Sequence, residues 1–162
     1  MSLPRCVSVL LAALALAGLA GCRDESRATG GCGPVTREAL DPAYLVHVLD
    51  GDAEVEYTSD PPTSGPHKPS PPAAGAVDTP LSRPVQVGIL ERGDVLLQYR
   101  PELAAAGRSA LEALAGAHVV VAPNPDLPGP VVATAWRAKR VCDRVDVGQL
   151  REFVTGRSGQ GP

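Results

Sequence analysis

Aromatic residues are scarce in this chain, which has three Tyr, one Trp and one Phe among 162 residues. A hydrophobic core must therefore consist mainly of Val, Leu and Ala, and Ala adds little burial energy per residue. Neither sign of charge dominates, because 15 Lys and Arg stand against 18 Asp and Glu. This balance gives no electrostatic case for a nucleic-acid partner, which would need a basic face.

Signature motifs of common enzyme classes are also missing. The chain has no Walker loop, dinucleotide-binding glycine motif, zinc-protease helix or nucleophile elbow. The sequence therefore predicts no cofactor and no metal site, and it assigns no catalytic residue. Pro and Gly are abundant, with 17 of each, and this composition predicts long loops, short strands and few long helices.

The first residues resemble a bacterial lipoprotein signal peptide. Arg5 supplies a positive charge, residues 7–20 are apolar apart from Ser8, and small residues precede Cys22 in the lipobox pattern Leu-Ala-Gly-Cys. We expect residues 1–21 to be cleaved and Cys22 to carry lipid, which would place the protein on the extracytoplasmic face of the cell membrane. A retained anchor helix and an ordinary secretory peptide are the alternatives. Cleavage would remove one positive charge and change the net charge from −3 to −4.

Two of the four cysteines remain after this assignment. Cys6 leaves with the signal peptide and Cys22 carries lipid, so Cys32 and Cys142 form an even pair in an oxidising compartment. We predict a structural disulfide between them. A redox pair or metal ligands are the rival interpretations, although no Cys-x-x-Cys motif is present. Residues 22–39 are interpreted as a lipidated tether.

The rest of the chain predicts an α+β domain over residues 40–155 with a flexible tail at 156–162. We expect a two-layer sandwich, in which two helices cover one face of a mainly antiparallel sheet of four to five short strands. A long Pro-rich arm, residues 59–84, interrupts the pattern. Strands are predicted at 43–49, 55–57, 85–90, 95–99, 118–122 and 131–136, with 85–99 forming a hairpin; helices are predicted from Pro101 to about Gly116 and after an Asp146 cap.

Several short motifs resemble a bacterial family catalogued as domain of unknown function 3105. They are Tyr57-Thr-Ser-Asp-Pro-Pro-Thr-Ser-Gly-Pro-His67, Leu90-Glu91-x-Gly93, Tyr99-x-Pro101, Ala122-Pro123 and Ala133-Thr-Ala-Trp136. The resemblance covers residues 40–155 and implies an exported or membrane-anchored protein with no established activity. It also implies histidines three residues before Glu91 and directly after it, where this chain has Gly88 and Arg92.

Four residues are candidates for binding: Tyr57, His67, Glu91 and Trp136. His67 fits a loop-structure role, with ligand contact and catalysis as alternatives, and Trp136 fits the core. His47 fits a hydrogen-bonded core or edge position, and Glu91 fits either a general base or a solvated ion pair with Arg92.

The leading hypothesis is a non-catalytic extracytoplasmic lipoprotein that binds or scaffolds at the cell surface. Its partners would be the membrane, through lipid on Cys22, and an unknown envelope protein or small ligand. The alternative is a metal-dependent or hydrolytic envelope enzyme that uses His67, Glu91 and Tyr57. A third possibility is a degenerate relative with a structural role only.

Overall fold

The computed structural model describes residues 31–51 and 54–162, so the predicted signal peptide, Cys22 and the first half of the tether lie outside the described residues. The described part contains three helices and a six-stranded sheet. In chain order the elements are β1 (Thr36–Arg37), β2 (Gly75–Ala76), α1 (Arg83–Glu91), β3 (Val95–Tyr99), α2 (Ala105–Glu112), β4 (Val119–Pro123), β5 (Val131–Ala135), β6 (Ala138–Cys142) and α3 (Val147–Arg157).

The sheet is mixed, with the strand order β1-β6-β5-β3-β4-β2. β3 lies inside the sheet, where it pairs with β4 in parallel and with β5 antiparallel. The β3-α2-β4 unit is a parallel crossover, and β5 and β6 form an antiparallel hairpin. The α+β class is therefore confirmed, although the strand and helix numbers each exceed the prediction by one or more.

The two-layer prediction is wrong, because helices cover both faces of the sheet. Val95, Leu97 and Tyr99 pack with residues of α2 and α3. Leu96, which points to the opposite face, packs with Ile89 and Leu90 of α1. Every residue of β3, β4 and β5 is buried, as expected for strands that are covered on both faces.

The predicted strand at 85–90 is in fact the helix α1. Val85, Val87 and Ile89 alternate with other residues and so mimic a half-buried strand. Every residue from Gln86 to Leu90 is buried, because the sheet lies against one side of the helix and the Pro-rich arm against another. A helix that is covered on several sides loses the 3.6-residue polar periodicity that would have identified it.

Other predicted strands were also misplaced. Residues 43–49 form a turn and one isolated bridge, His47 to His67, and residues 55–57 form no strand. The segments 118–122 and 131–136 are strands, but they do not pair with each other because β3 lies between them. The hairpin of the sheet is instead β5–β6, which joins through Trp136 and Arg137.

The two predicted helices of the C-terminal half are present. α2 starts at Ala105, after a turn that contains Pro101, and ends before Gly116. Asp146 caps α3, because its Oδ1 accepts a hydrogen bond from the Gln149 amide at 3.0 Å. The pKa of Asp146 is lowered, mainly by this backbone hydrogen bond. Beyond α3, the Gly159 amide donates to the Gly93 carbonyl at 2.7 Å.

A disulfide joins Cys32 to Cys142, as predicted, across a sequence separation of 110 residues. Both cysteines are buried. The bond attaches the start of the described domain to β6, next to the hydrogen bond from the Gly33 amide to the Val141 carbonyl at 2.8 Å. None of the helices in residues 31–51 and 54–162 is long and apolar enough to cross a bilayer.

Candidate functional site

The arm is part of the folded domain. Residues 61–67 are all buried, although their sequence is rich in Pro and polar residues. The Ser64 hydroxyl accepts a hydrogen bond from the Asp41 amide at 2.9 Å, and the Thr63 carbonyl accepts one from the Arg137 amide at 2.9 Å. These bonds satisfy polar groups that would otherwise be buried without partners.

Gly65 is required by its surroundings. Its φ is +129°, and a Cβ there would lie 3.1 Å from the Tyr57 ring and 3.2 Å from Asp41 Oδ2. The Tyr57 hydroxyl donates to the Pro66 carbonyl at 2.7 Å. Burial is the main cause that raises the pKa of Tyr57 to about 12, with the Asp41 carboxylate adding to it and Arg83 opposing it. Tyr57 is therefore a neutral hydrogen-bond donor at physiological pH and not a base.

Two residues of the α1 region hold the arm. A Cβ on Gly88 would lie less than 3.0 Å from the Lys68 carbonyl oxygen, so only glycine permits this approach. Arg92 Nη1 and Nη2 donate to the carbonyls of Pro71 and Pro72 at 3.3 and 2.8 Å. Arg92 also pairs with Asp94. The proposed pairing of Arg92 with Glu91 is therefore replaced by contacts that fix the arm.

His67 and Glu91 do come together. The side chain of His67 is buried, and its Nε2 lies 3.9 Å from Oε2 of Glu91, which is 42 % exposed. Nδ1 of His67 lies 3.2 Å from the Gly65 carbonyl, but Nε2 has no hydrogen-bond partner among the described residues. The ring of the exposed residue His47 meets the His67 ring edge-on, with the centroids 4.9 Å apart.

His47 is a neighbour that sequence reasoning missed. Two backbone hydrogen bonds form the bridge between the two histidines. The Val48 amide donates to the His67 carbonyl at 2.8 Å, and the His67 amide donates to the Val46 carbonyl at 3.0 Å. No sequence signal joins residues that are twenty positions apart in irregular backbone. Among the described residues, no group of three His, Cys, Asp or Glu side chains is arranged to hold a metal ion.

Tyr57 belongs to a different surface, a cleft of about 560 Å³ that does not include His67, Glu91 or Trp136. The cleft lies between the chain before the arm, the start of α1 and the loop after β4. Its lining residues include Val48, Leu49, Asp50, Tyr57, Lys68, Ser82, Arg83, Gln86, Asn124 and Asp126. The volume falls within the range of small-molecule sites.

Two ion pairs lie at the cleft. Lys68 Nζ lies 2.6 Å from Asp50 Oδ1, and Arg83 Nη2 lies 3.3 Å from Asp60 Oδ2. The hydrogen bond from Lys68 lowers the pKa of Asp50. Gln86, a buried residue of α1, donates through Nε2 to the Leu81 carbonyl at 2.8 Å, but its Oε1 has no partner among the described residues. Gln86 is among the residues that line the cleft, but this oxygen itself is buried.

Trp136 lies at neither place. It packs, half-buried, on the α1 side of the sheet, and its ring meets the Tyr44 ring edge-on with centroids 6.4 Å apart. The four candidate residues thus divide among three locations: Tyr57 at the cleft, His67 with Glu91, and Trp136 beside Tyr44. Gln86 was not predicted, because a glutamine in a segment assigned as a strand carries no signal of its own.

One comparison with known proteins gave a match. The family model described as "Protein of unknown function (DUF3105)" matches residues 47–162. No curated protein matches the chain significantly, and no solved structure does. The matched region contains β2 to β6, all three helices, the arm and the cleft residues from Tyr57 onwards. The chain therefore belongs to the DUF3105 family.

Proposed function

We propose that this protein is a lipid-anchored extracytoplasmic binding module that takes a small ligand in the cleft beside Tyr57. The observation that carries the binding role is the cleft itself. Small-molecule sites are concave and combine apolar side chains with a few polar groups, and the side chains of Val48, Leu49 and Val55 beside those of Tyr57 and Asn124 fit that description.

The arm supports binding over catalysis. The hydroxyl groups of Ser64 in the arm and of Tyr57 just before it are already used within the fold, since Ser64 accepts from the Asp41 amide and Tyr57 donates to the Pro66 carbonyl. If relatives carry histidines at positions 88 and 92, as the resemblance implies, both replacements in this chain serve arm packing. Gly88 admits the Lys68 carbonyl, and Arg92 binds two arm carbonyls.

A cleft-filling variant tests the binding role. Ser82 lines the cleft and is exposed, so Ser82→Phe would occupy the space without disturbing the core. Ser109→Phe, on the exposed side of α2, is the matched control. Ligand-observed NMR with a library of small hydrogen-bond donors should show binding to the wild type and the control but not to Ser82→Phe. Binding that persists in Ser82→Phe, or no binding to any form, would refute the cleft as a ligand site.

Fatty-acid labelling tests the anchor. The lipobox assigns acylation to Cys22, so Cys22→Ser should abolish incorporation of labelled palmitate and keep residues 1–21 attached. Cys6→Ser, within the predicted signal peptide, is the matched control and should keep the label. A wild-type protein without label would overturn the anchor and would leave the cleft experiment unaffected.

His67 and Glu91 favour a second candidate, a metal-dependent or hydrolytic envelope enzyme. The specific observation is the buried, unpartnered Nε2 of His67 at 3.9 Å from a carboxylate oxygen. Catalytic zinc sites have three protein ligands, so His47 would have to contribute. Metal analysis of the purified protein distinguishes the binding module from this enzyme. One zinc or copper ion per protein molecule, lost in both His67→Ala and His47→Ala, would favour the metal-dependent enzyme over the binding-only role.

A further inference from the structure

The exposed apolar side chains of the domain are concentrated in one segment. In residues 31–51 and 54–162, the large apolar residues that remain exposed are Val35, Leu40, Leu45, Val46 and Leu49. Leu45 is 76 % exposed and Leu49 is 63 % exposed. Single exposed apolar residues are normal, but a group of them marks an interaction surface. We name residues 35–49 the apolar segment.

Three arginines, one of them within this segment, converge at a recess. The recess measures about 260 Å³ and is lined by Arg37, Trp136, Arg137, Arg157, Gln160, Gly161 and Pro162. Arg37 comes from β1, Arg137 from the β5–β6 turn and Arg157 from the end of α3. In the described part of the chain none of the three pairs with a carboxylate side chain; Arg137 Nε donates to the Glu38 carbonyl at 3.3 Å. A protein of net charge −3 thus presents a local group of unpaired cations.

The recess and the apolar segment are physically joined. The Trp136 ring at the recess contacts the Tyr44 ring, and Leu45 and Val46 follow Tyr44 directly in the chain. Arg137 also has a φ of +56°, a conformation that Gly or Asn adopts at lower cost. A surface that combines exposed apolar residues, Trp with Tyr, and cations has the composition of protein regions at a membrane–water interface.

We infer that the apolar segment and the three arginines dock the domain on an anionic phospholipid surface, the membrane that holds the lipid anchor. The inference rests on the proposed acylation of Cys22. Twelve residues lie between Cys22 and Val35, and a chain segment that joins two residues so spaced reaches at most about 45 Å. The bilayer is therefore always within reach of this surface, and the tether makes docking effectively intramolecular, so that weak contacts suffice.

The single tryptophan of the chain is the probe. The acylated protein is inserted into vesicles of phosphatidylcholine alone or of phosphatidylcholine with phosphatidylglycerol, each with brominated lipid as a quencher. Trp136 emission should be quenched more strongly in the anionic vesicles than in the neutral ones. Addition of 0.5 M NaCl should abolish this difference, because salt screens the charges of the arginines.

Matched double variants distinguish an effect of the arginines at the recess from an effect of the protein's total positive charge. Arg37→Gln with Arg157→Gln should reduce the docking constant roughly 30-fold, at about fivefold for each cation near an anionic surface. Arg108→Gln with Arg151→Gln removes two exposed arginines elsewhere and should leave it unchanged. Leu45→Gln should reduce docking without affecting the core, because its side chain is mostly exposed.

Three results would overturn the inference. They are equal quenching in the two kinds of vesicle, equal effects of the two double variants, and quenching that appears only after an envelope protein is added, which would make a protein the occupant. The intact mass of the protein reports acylation independently. If no acyl chain is present, the anchor proposal fails, and flotation of the unanchored protein with anionic and neutral vesicles still tests docking.

Discussion

Removal of the Cys32–Cys142 disulfide should strongly lower the free energy of unfolding of this domain. The perturbation is the double variant Cys32→Ala with Cys142→Ala, which avoids burying new hydroxyl groups at two buried positions. The bond closes a loop with a sequence separation of 110 residues. In the chain-entropy treatment, a loop of this length stabilises the folded state by about 4–5 kcal/mol.

That magnitude is large for this protein. Domains are typically stable by about 5–15 kcal/mol, and this core contains few aromatic side chains: Tyr99 and Phe153 are its buried ones in the described residues. Urea denaturation of the oxidised protein, the reduced protein and the double variant gives the free energies of unfolding. The reduced protein and the variant should agree with each other and fall about 4–5 kcal/mol below the oxidised protein.

Hydrogen exchange locates the loss. β1 has only two residues, so this end of the chain is attached by the disulfide together with a few hydrogen bonds, among them those of Gly31 and Gly33 to residues 141–146. The Gly33 amide, bonded to the Val141 carbonyl, should lose protection on reduction. The Asn124 amide, bonded to the Tyr99 carbonyl, is the control and should lose protection only to the extent of the global change. A stability difference below about 1 kcal/mol would refute the entropic reasoning.

Three further changes test the arm and the core. Gly88→Ala should lower the free energy of unfolding by about 1–3 kcal/mol in urea denaturation, because the new Cβ collides with the Lys68 carbonyl; an unchanged value would show that the arm moves freely. Tyr57→Phe should cost about 1 kcal/mol through the lost bond to the Pro66 carbonyl. Since folding raises the pKa of Tyr57 from 10.0 to about 12, the wild type should lose stability as pH rises through that range, and the variant should lack this dependence. Gln98→Leu should raise the melting temperature, because Nε2 and Oε1 of this fully buried side chain have no partner among the described residues; a lower melting temperature would mean that the amide is satisfied in solution.

The central strands and the helices after them could be predicted from sequence, because the local pattern of apolar residues there matches the burial of those residues in the structure. Residues 95–99 form an apolar run that is buried on both faces, and Asp146 stands directly before a helix that it caps. The disulfide was predicted from the expected compartment and the number of cysteines alone. In each case the determinant lies within a few residues or in a simple count.

The remaining features depend on contacts between distant segments. Residues 85–90 form a helix that is buried partly by the arm, and the arm is held by Gly88 and Arg92. The contact of His47 with His67 depends on a bridge between two irregular segments. Sequence patterns report local periodicity, so they do not reveal a helix or a histidine pair whose environment is made by an irregular loop.

The two proposed surfaces meet at Leu49, and this contact determines how they must be tested. Leu49 lines the cleft and also belongs to the apolar segment, so a change at Leu49 would affect ligand binding and membrane docking together. Ser82 lines the cleft at the start of α1, and Arg37 lines the recess from β1. Neither residue contributes to the other surface. If Ser82→Phe abolishes ligand binding but keeps Trp136 quenching, and the Arg37 and Arg157 variant does the reverse, the two roles are separate properties of one domain. If both variants impair both readouts, the cleft opens where the protein meets the bilayer, and the ligand is bound at the level of the lipid headgroups.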